Sequence, residues 1–211
     1  MGKVPENIGR PVVGRAKTII VLDTADSQIG VVSEIFVRTS SDENADRLVY
    51  RGPVKFKDSS KKHLKSVVLP IVDRITSNLG NPLKNYEISI KNIGATALAG
   101  IGIEISGFSA DMPILLSLIS TSLQVGIRQD VVCTGHVASI DGDLAPVRGI
   151  SAKLDAAHST PEILAFVLPD MEKDRSLVSS DCFQKKYTIR SKIFAKNCLL
   201  MLLFLLLQQQ L

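Results

Sequence analysis

The residues whose types could do chemistry are a serine and a lysine set beside apolar segments. Ser109 precedes the apolar run 112–123, and Lys153 lies between Ala152 and Leu154. A serine hydroxyl becomes an effective nucleophile when a base removes its proton. A lysine amine can be that base when it is buried, because burial disfavours the ammonium form. Taken singly, each residue has a more ordinary interpretation, since a serine before a helix commonly caps it and most lysines are solvated.

The composition fits a globular protein with one main domain. The chain has 211 residues, of which 45% are apolar and 22% are charged, and a fold of this size needs no disulfide or metal to hold its core together. The formal charge of +4 does not by itself indicate a nucleic-acid partner. The N-terminus has no apolar stretch of the signal-peptide kind.

The cysteines and histidines give no sign of a metal centre. Cys133, Cys182 and Cys198 are odd in number and far apart, which predicts buried free thiols in a reducing compartment, here the cytoplasm. The three histidines are scattered, and no Cys/His group has metal-ligand spacing. We therefore expect no metal and no cofactor.

The hydrophobic pattern predicts a mixed order of strands and helices. Buried or half-buried strands are expected where β-branched residues cluster, and a hairpin is expected around Asp141-Gly142, a preferred tight-turn pair. The predicted strands are 18–23, 29–38, 47–52, 86–93, 100–105, 131–140, 143–147 and 162–169, and the predicted helices are 58–79, 112–123 and 149–158.

The helix predicted over 58–79 carries an apolar face at three- and four-residue spacing. Asp58 and Ser59 are candidates to cap its start, and Gly80 is a candidate to end it. Pro70 lies inside the pattern and predicts a kink or a break, since proline cannot donate the helical hydrogen bond.

The order of elements indicates an α/β or α+β fold, a mixed sheet with packed helices. We divide the chain into an irregular lead-in (1–16), a main domain (17–180) and a C-terminal extension (181–211) with an apolar tail. The tail, 198–207, would span about 15 Å as a helix, which is too short to cross a bilayer. Packing on the domain, an oligomer contact, a membrane-surface contact and a disrupted reading frame are alternative interpretations of it.

Two segments carry a family resemblance. GFSAD (107–111) and VVCTGHVASIDGDLAPVRGISAKLDAAHS (131–159) are similar to the Gly-Pro-Ser-Ala-Gly and the Thr-Gly-Glu to Leu-x-Ala-Ala-His stretches of the Lon proteases. From about residue 29 to residue 172 the chain resembles the Lon proteolytic domain, a fold like domain 2 of ribosomal protein S5. The resemblance implies a serine endopeptidase of the Ser-Lys dyad type, with Ser109 as nucleophile and Lys153 as base.

The same resemblance implies further features of such a peptidase. Thr134 matches a Lon threonine whose hydroxyl could orient the lysine, and the N–H groups at the start of the helix after Ser109 could stabilise an oxyanion. Polypeptide substrates and a homo-oligomer are expected. The chain has no G-x-x-x-x-G-K-S/T motif, so it should act without ATP or with a separate ATPase that unfolds substrates.

Asp111 departs from the Lon pattern, because it stands where Lon has glycine. A carboxylate directed at the dyad would raise the lysine pKa and disarm the base, whereas one directed away would leave the base intact. Ser106 and His136 replace a common aspartate and a glutamate of Lon.

The Lon-fold domains of RadA and ComM resemble 102–120 and 141–150, and they suggest an alternative function. On this interpretation the chain is a catalytically silent domain used for assembly or DNA-associated binding. The lysine-rich stretch 55–65 would then be the DNA contact, although a solvated helix end is its more ordinary interpretation.

Overall fold

The computed structural model describes residues 9–23, 27–42, 45–91, 104–105 and 107–169. The helices are α1 (Asp58–His63), α2 (Leu69–Asn78), α3 (Asp111–Leu123) and α4 (Ile150–Ser159), and a π-helical segment (Leu64–Val68) joins α1 to α2. The strands are β1 (Val12–Val13), β2 (Arg15–Asp23), β3 (Gln28–Thr39), β4 (Leu48–Arg51), β5 (Lys55–Phe56), β6 (Tyr86–Lys91), β7 (Glu104–Ile105), β8 (Gly126–Ile127), β9 (Val131–Cys133), β10 (His136–Val137), β11 (Leu144–Ala145) and β12 (Ala165–Val167).

The main sheet has six strands in the order β12-β9-β2-β3-β6-β4. The central pairs β2–β3 and β3–β6 are antiparallel, whereas β12–β9, β2–β9 and β4–β6 are parallel. Within the described ranges, three two-stranded sheets accompany it, formed by β1 with β8, β5 with β7, and β10 with β11. The predicted class, a mixed sheet with packed helices of the α+β kind, is therefore confirmed.

Two apolar clusters lie on the two faces of this sheet. Alternate residues of a strand point to opposite faces; in β2, Ala16 belongs to the cluster that contains α3, and Ile19 belongs to the cluster that contains α4. Helices α3 and α4 therefore cover opposite faces, and α3 is buried along almost its whole length. A residue at the start of α3 can therefore contact a residue of α4 only through an opening in the sheet.

Such an opening exists beside β2. The parallel pairing of β2 with β9 is limited to Lys17 opposite Val132, and β9 ends at Cys133. β2 continues to Asp23 with β3 on its other side. The edge of β2 over 18–23 is therefore without a strand partner among the described residues.

The sequence predicted a kink or a break at Pro70; the helix is not broken there, since the backbone stays helical from Asp58 to Asn78, but it contains a π-helical segment directly before α2. The predicted capping of α1 is not observed. Proline lies in the first turn of α2, directly after the π-helical segment. Gly80 ends the helix with a φ of 77° and donates its N–H to the Ser77 carbonyl. No side chain caps the start of α1, because Asp58 pairs with Lys61 instead.

Other sequence expectations are refined by the structure. The segment 131–140 is not one hairpin strand: β9 joins the main sheet, and only β10 pairs with β11 across the Asp141-Gly142 turn. Of the predicted lead-in, the described part contains β1 and the first residues of β2. Cys133 is a buried free thiol, as predicted.

Several predictions fall outside the described residues, among them Cys182, Cys198 and the tail 198–207. The boundaries of the predicted domains stay predictions. Among the helices that the structure does describe, none combines the length and the apolar character needed to span a membrane.

Candidate active site

Lys153 lies on the buried face of α4, which packs against the main sheet. The helix starts at Gly149, whose φ of 69° is a left-handed conformation that glycine adopts without a steric cost. Lys153 donates its backbone N–H to the Gly149 carbonyl over 3.1 Å. It shares the buried helix face with Ile150, Leu154 and Ala157, so its side chain is directed into the protein and is only 1% exposed.

The environment of Lys153 favours its neutral form. Burial lowers the pKa of its amine from 10.5 to about 8, because the ammonium loses its hydration. Within the described ranges, no carboxylate forms an ion pair with it. Such an amine is about one-tenth neutral at pH 7 and mostly neutral above pH 8.

Thr134 joins the lysine to the serine segment. Lys153 Nζ donates to Thr134 Oγ1 over 2.7 Å, and that hydroxyl donates onward to the carbonyl of Ser109 over 3.0 Å. Gly135 donates its N–H to the same carbonyl over 3.1 Å. Thr134 is fully buried and is fixed by its own N–H, which donates to Val167 of β12. The segment that follows β9 therefore holds both the lysine and the backbone of Ser109.

Ser109 lies half-buried in the turn that leads into α3. The next N–H groups of the turn are partly engaged, since Asp111 donates to the Phe108 carbonyl and Met112 donates to the Gly135 carbonyl. The N–H groups of Ser109 and Ala110 have no hydrogen-bond partner among the described residues. In the part of the chain that the structure describes, these two N–H groups lie without an acceptor at the positive end of the α3 dipole, which makes them candidate donors to an oxyanion.

A cavity of about 670 Å³ contains both candidate residues. Its wall includes Ser109, Lys153 and the unpartnered β2 edge, 18–23. Residues 146–149, which lead into α4, close another side. The cavity is large enough for several residues of an extended peptide, and its strand edge offers backbone hydrogen bonds.

Asp111 does not point at the lysine as a counter-charge. Its Oδ2 lies 2.8 Å from Nδ1 of His136, 3.1 Å from Nε2 of His63 and 3.2 Å from the N–H of Val137. Burial raises the pKa of this carboxyl to about 8, and burial with the nearby His63 lowers the pKa of His136. Of the two alternatives that the sequence left open, the side chain directed away from the dyad is the one observed.

The sequence did not reveal that His63, Asp111 and His136 meet. They come from the end of α1, the start of α3 and the start of β10, and no local spacing connects them. The only sequence signals were Asp111 in place of a glycine and His136 in place of a glutamate. Phe108 completes the group, because its ring lies 4.6 Å from that of His63 and 4.9 Å from that of His136.

A comparison with known proteins gives an independent indication. No protein-family model matches the chain. The chain is similar to the archaeal Lon protease of Thermoplasma acidophilum, with 27% identity over 186 residues. The similarity covers 86% of this chain and 26% of the relative, so the chain spans about a quarter of that protein's length. This supports a Lon-related domain and, at a coarse level, a protease.

Proposed function

We propose that the chain is a Lon-like serine endopeptidase domain, with Ser109 as the nucleophile and Lys153 as the general base. One observation carries the proposal. A lysine that is almost fully buried is bonded through one threonine hydroxyl to the backbone of the serine, and both side chains line one cavity. Burying a lysine without a carboxylate partner costs stability, which is a cost that an active site explains and a structural role does not.

The proposed reaction has two halves. The Ser109 Oγ proton passes to the neutral amine of Lys153 as Oγ bonds to the peptide carbonyl carbon, and the N–H groups of Ser109 and Ala110 stabilise the resulting oxyanion. The ammonium then protonates the leaving amine as the C–N bond breaks. Water hydrolyses the serine ester, with Lys153 again acting as base.

Polypeptide in an extended conformation is the proposed substrate. The edge of β2 beside Ser109 can pair with an added strand, which aligns the substrate backbone independently of its side chains. A folded protein rarely exposes such a strand, so flexible or unfolded chains should be cut first. These 211 residues contain no nucleotide phosphate loop, so the proposal assigns any ATP-driven unfolding to a module outside them. A homo-oligomer and a separate unfoldase belong to the proposal through the resemblance to Lon.

The alternative of a silent, DNA-associated domain gains little from the basic stretch 55–65. Lys57, Lys61 and Lys65 pair with Glu104, Asp58 and Asp46, respectively. The one histidine of the stretch, His63, is mostly buried against Asp111 and Val137. These contacts reduce the positive charge available to phosphates.

The test is hydrolysis of fluorescently labelled casein by the full chain. We expect turnover by the wild type and a loss of at least about 10³-fold in both Ser109→Ala and Lys153→Ala, because the nucleophile and its base act as a unit. Ser117→Ala is the matched serine control, since Ser117 is buried in α3 with an unpartnered hydroxyl. Lys62→Ala, on the exposed side of α1, is the lysine control.

Both controls should keep the wild-type rate. Equal turnover by wild type and Ser109→Ala would refute the proposal. Salt-dependent binding of duplex DNA by a folded chain that cuts no casein would favour the silent-domain alternative instead.

A further inference from the structure

We propose that His63, Asp111 and His136 form a binding site for one divalent transition-metal ion of the zinc class. The inference goes beyond the proposed peptidase activity and does not depend on it. One ligand atom from each of the three side chains can be chosen so that all lie within 4.8 Å of one another. Two imidazoles and one carboxylate, with room for a further ligand, are a common protein set for such ions.

The distances suit an ion with small adjustments. Zinc bonds to imidazole nitrogen and carboxylate oxygen are about 2.0–2.2 Å long, so neighbouring donors of a tetrahedral site lie about 3.3 Å apart. The Asp111 oxygen lies 3.1 Å from His63 Nε2 and 2.8 Å from His136 Nδ1. Both separations are within about half an ångström of that spacing.

The three side chains are held in place by their surroundings. The N–H of Val137 donates to the carboxylate oxygen of Asp111, and the Phe108 ring lies against both imidazole rings. Asp111 is 4% exposed, whereas His63 and His136 are 15% and 24% exposed. A buried carboxyl flanked by two partly exposed imidazoles leaves an ion a route from solvent and supplies it with an oxygen ligand.

A hydrogen-bond network without metal is the competing explanation. In that case His63 Nε2 keeps its proton and donates to the Val137 carbonyl, which lies 2.9 Å away. An ion must replace this proton, and the same carbonyl, or a water molecule, can then complete the coordination. Metal and proton therefore compete for one nitrogen, which makes the two explanations experimentally distinct.

A bound ion would act on the serine segment through position alone. Asp111 follows Ser109 by two residues at the start of α3, and His136 follows Thr134 by two residues. The ion would tie these segments to the end of α1. We therefore assign it a positioning role and give it no part in the bond-breaking steps.

The experiment uses the full 211-residue chain, freed of metal with a chelator that is then removed. Calorimetric titration with ZnCl₂ should show one ion bound per chain, and CoCl₂ should give the visible absorption of a low-symmetry site with nitrogen and oxygen ligands. MgCl₂ should not bind, because magnesium prefers all-oxygen octahedral ligands. Saturating zinc should raise Tm by about 5–10 °C.

Ligand variants locate the site. His63→Ala, His136→Gln and Asp111→Asn should each weaken zinc binding by about 100-fold or more, with folding checked by circular dichroism. His158→Ala removes the third histidine, which is exposed at the end of α4, and should bind zinc as the wild type does. His136→Gln is the mildest change at a partly exposed position, so it keeps the test valid if another variant fails to fold.

Two results would overturn the inference. The first is the absence of zinc binding by the folded wild-type chain. The second is binding that survives all three ligand variants but disappears in Cys182→Ser/Cys198→Ser, with thiolate absorption in the cobalt form. That double variant is expected to keep the wild-type zinc affinity.

Discussion

At the scale of single residues, the proposed activity depends on the charge state of Lys153. The side chain is buried, its pKa is lowered to about 8 by that burial, and its amine has one hydrogen-bond acceptor in Thr134 Oγ1. Burial of an amine that must charge below its pKa weakens the native state. The same property makes the amine a base near neutral pH, so stability and proposed activity are in conflict at this residue.

This conflict predicts a pH-dependent gain of stability in Lys153→Met. Below pH 8 the native wild type carries the full cost of burying a charge, and Met removes it. Between pH 8 and 10.5 the unfolded chain binds a proton that the native chain does not, so wild-type stability rises with pH. We expect Lys153→Met to be more stable by about 1–3 kcal/mol at pH 7, with the difference shrinking by pH 10.

The measurement is urea unfolding of both proteins at the two pH values. Lys62→Met serves as the control, because Lys62 is exposed, and it should differ from wild type by less than about 0.5 kcal/mol at either pH. A Met variant less stable than wild type at pH 7 would show that the Lys153 amine is well solvated or well paired in solution, against our description.

At the scale of elements, the site depends on how closely α4 approaches β3. A Cβ added to Gly30 of β3 would lie 2.2 Å from the carbonyl oxygen of Ala152 and 2.8 Å from Cβ of Ala156. Only glycine permits this contact. Since Lys153 directly follows Ala152, the packing distance of the helix sets the position of the proposed base.

Gly30→Ala should therefore damage both stability and activity. The helix must move away from the sheet, which costs about 1–3 kcal/mol, and a displacement of the base by about 1 Å lowers casein turnover by up to about 100-fold. Urea unfolding and casein hydrolysis measure the two effects. Gly107→Ala is the stability control, because among the described residues beyond its chain neighbours no atom lies within 4 Å of its added Cβ. Full activity in Gly30→Ala would show that the contact does not position Lys153.

Local sequence patterns predicted some of the secondary-structure elements and missed others. The long strands and the buried helix α3 follow from hydrophobic periodicity, and they were predicted. The end of β9 at Cys133 was not, because 131–140 has a continuous strand-like composition. That early end frees Thr134 and Gly135 to bind the Ser109 backbone, and it depends on the partners β2 and β12, which local patterns do not contain.

At the scale of the whole molecule, the candidate site lies beside an incomplete strand pairing. It combines Ser109, just before α3 on one sheet face, with Lys153 of α4 on the other face. Ser109 and Lys153 were placed together by the resemblance to Lon, whereas their residue types alone did not distinguish them from a helix cap and a surface lysine. The grouping of His63 with Asp111 and His136 required the fold, since it joins three separate elements. The oligomer and any ATPase partner stay predictions, because they depend on surfaces beyond this single chain.

In the proposed peptidase, Lys153 makes Ser109 nucleophilic, and covalent labelling tests this without a substrate or an unfolding partner. The full chain would be treated with a fluorophosphonate, which phosphonylates activated serine hydroxyls with loss of fluoride, and the adduct would be located by mass spectrometry. We expect one adduct, on Ser109, formed faster as the pH rises through about 8 and absent in Lys153→Ala. A folded wild-type chain that stays unlabelled, or a Ser109 labelled equally fast without Lys153, would contradict the account.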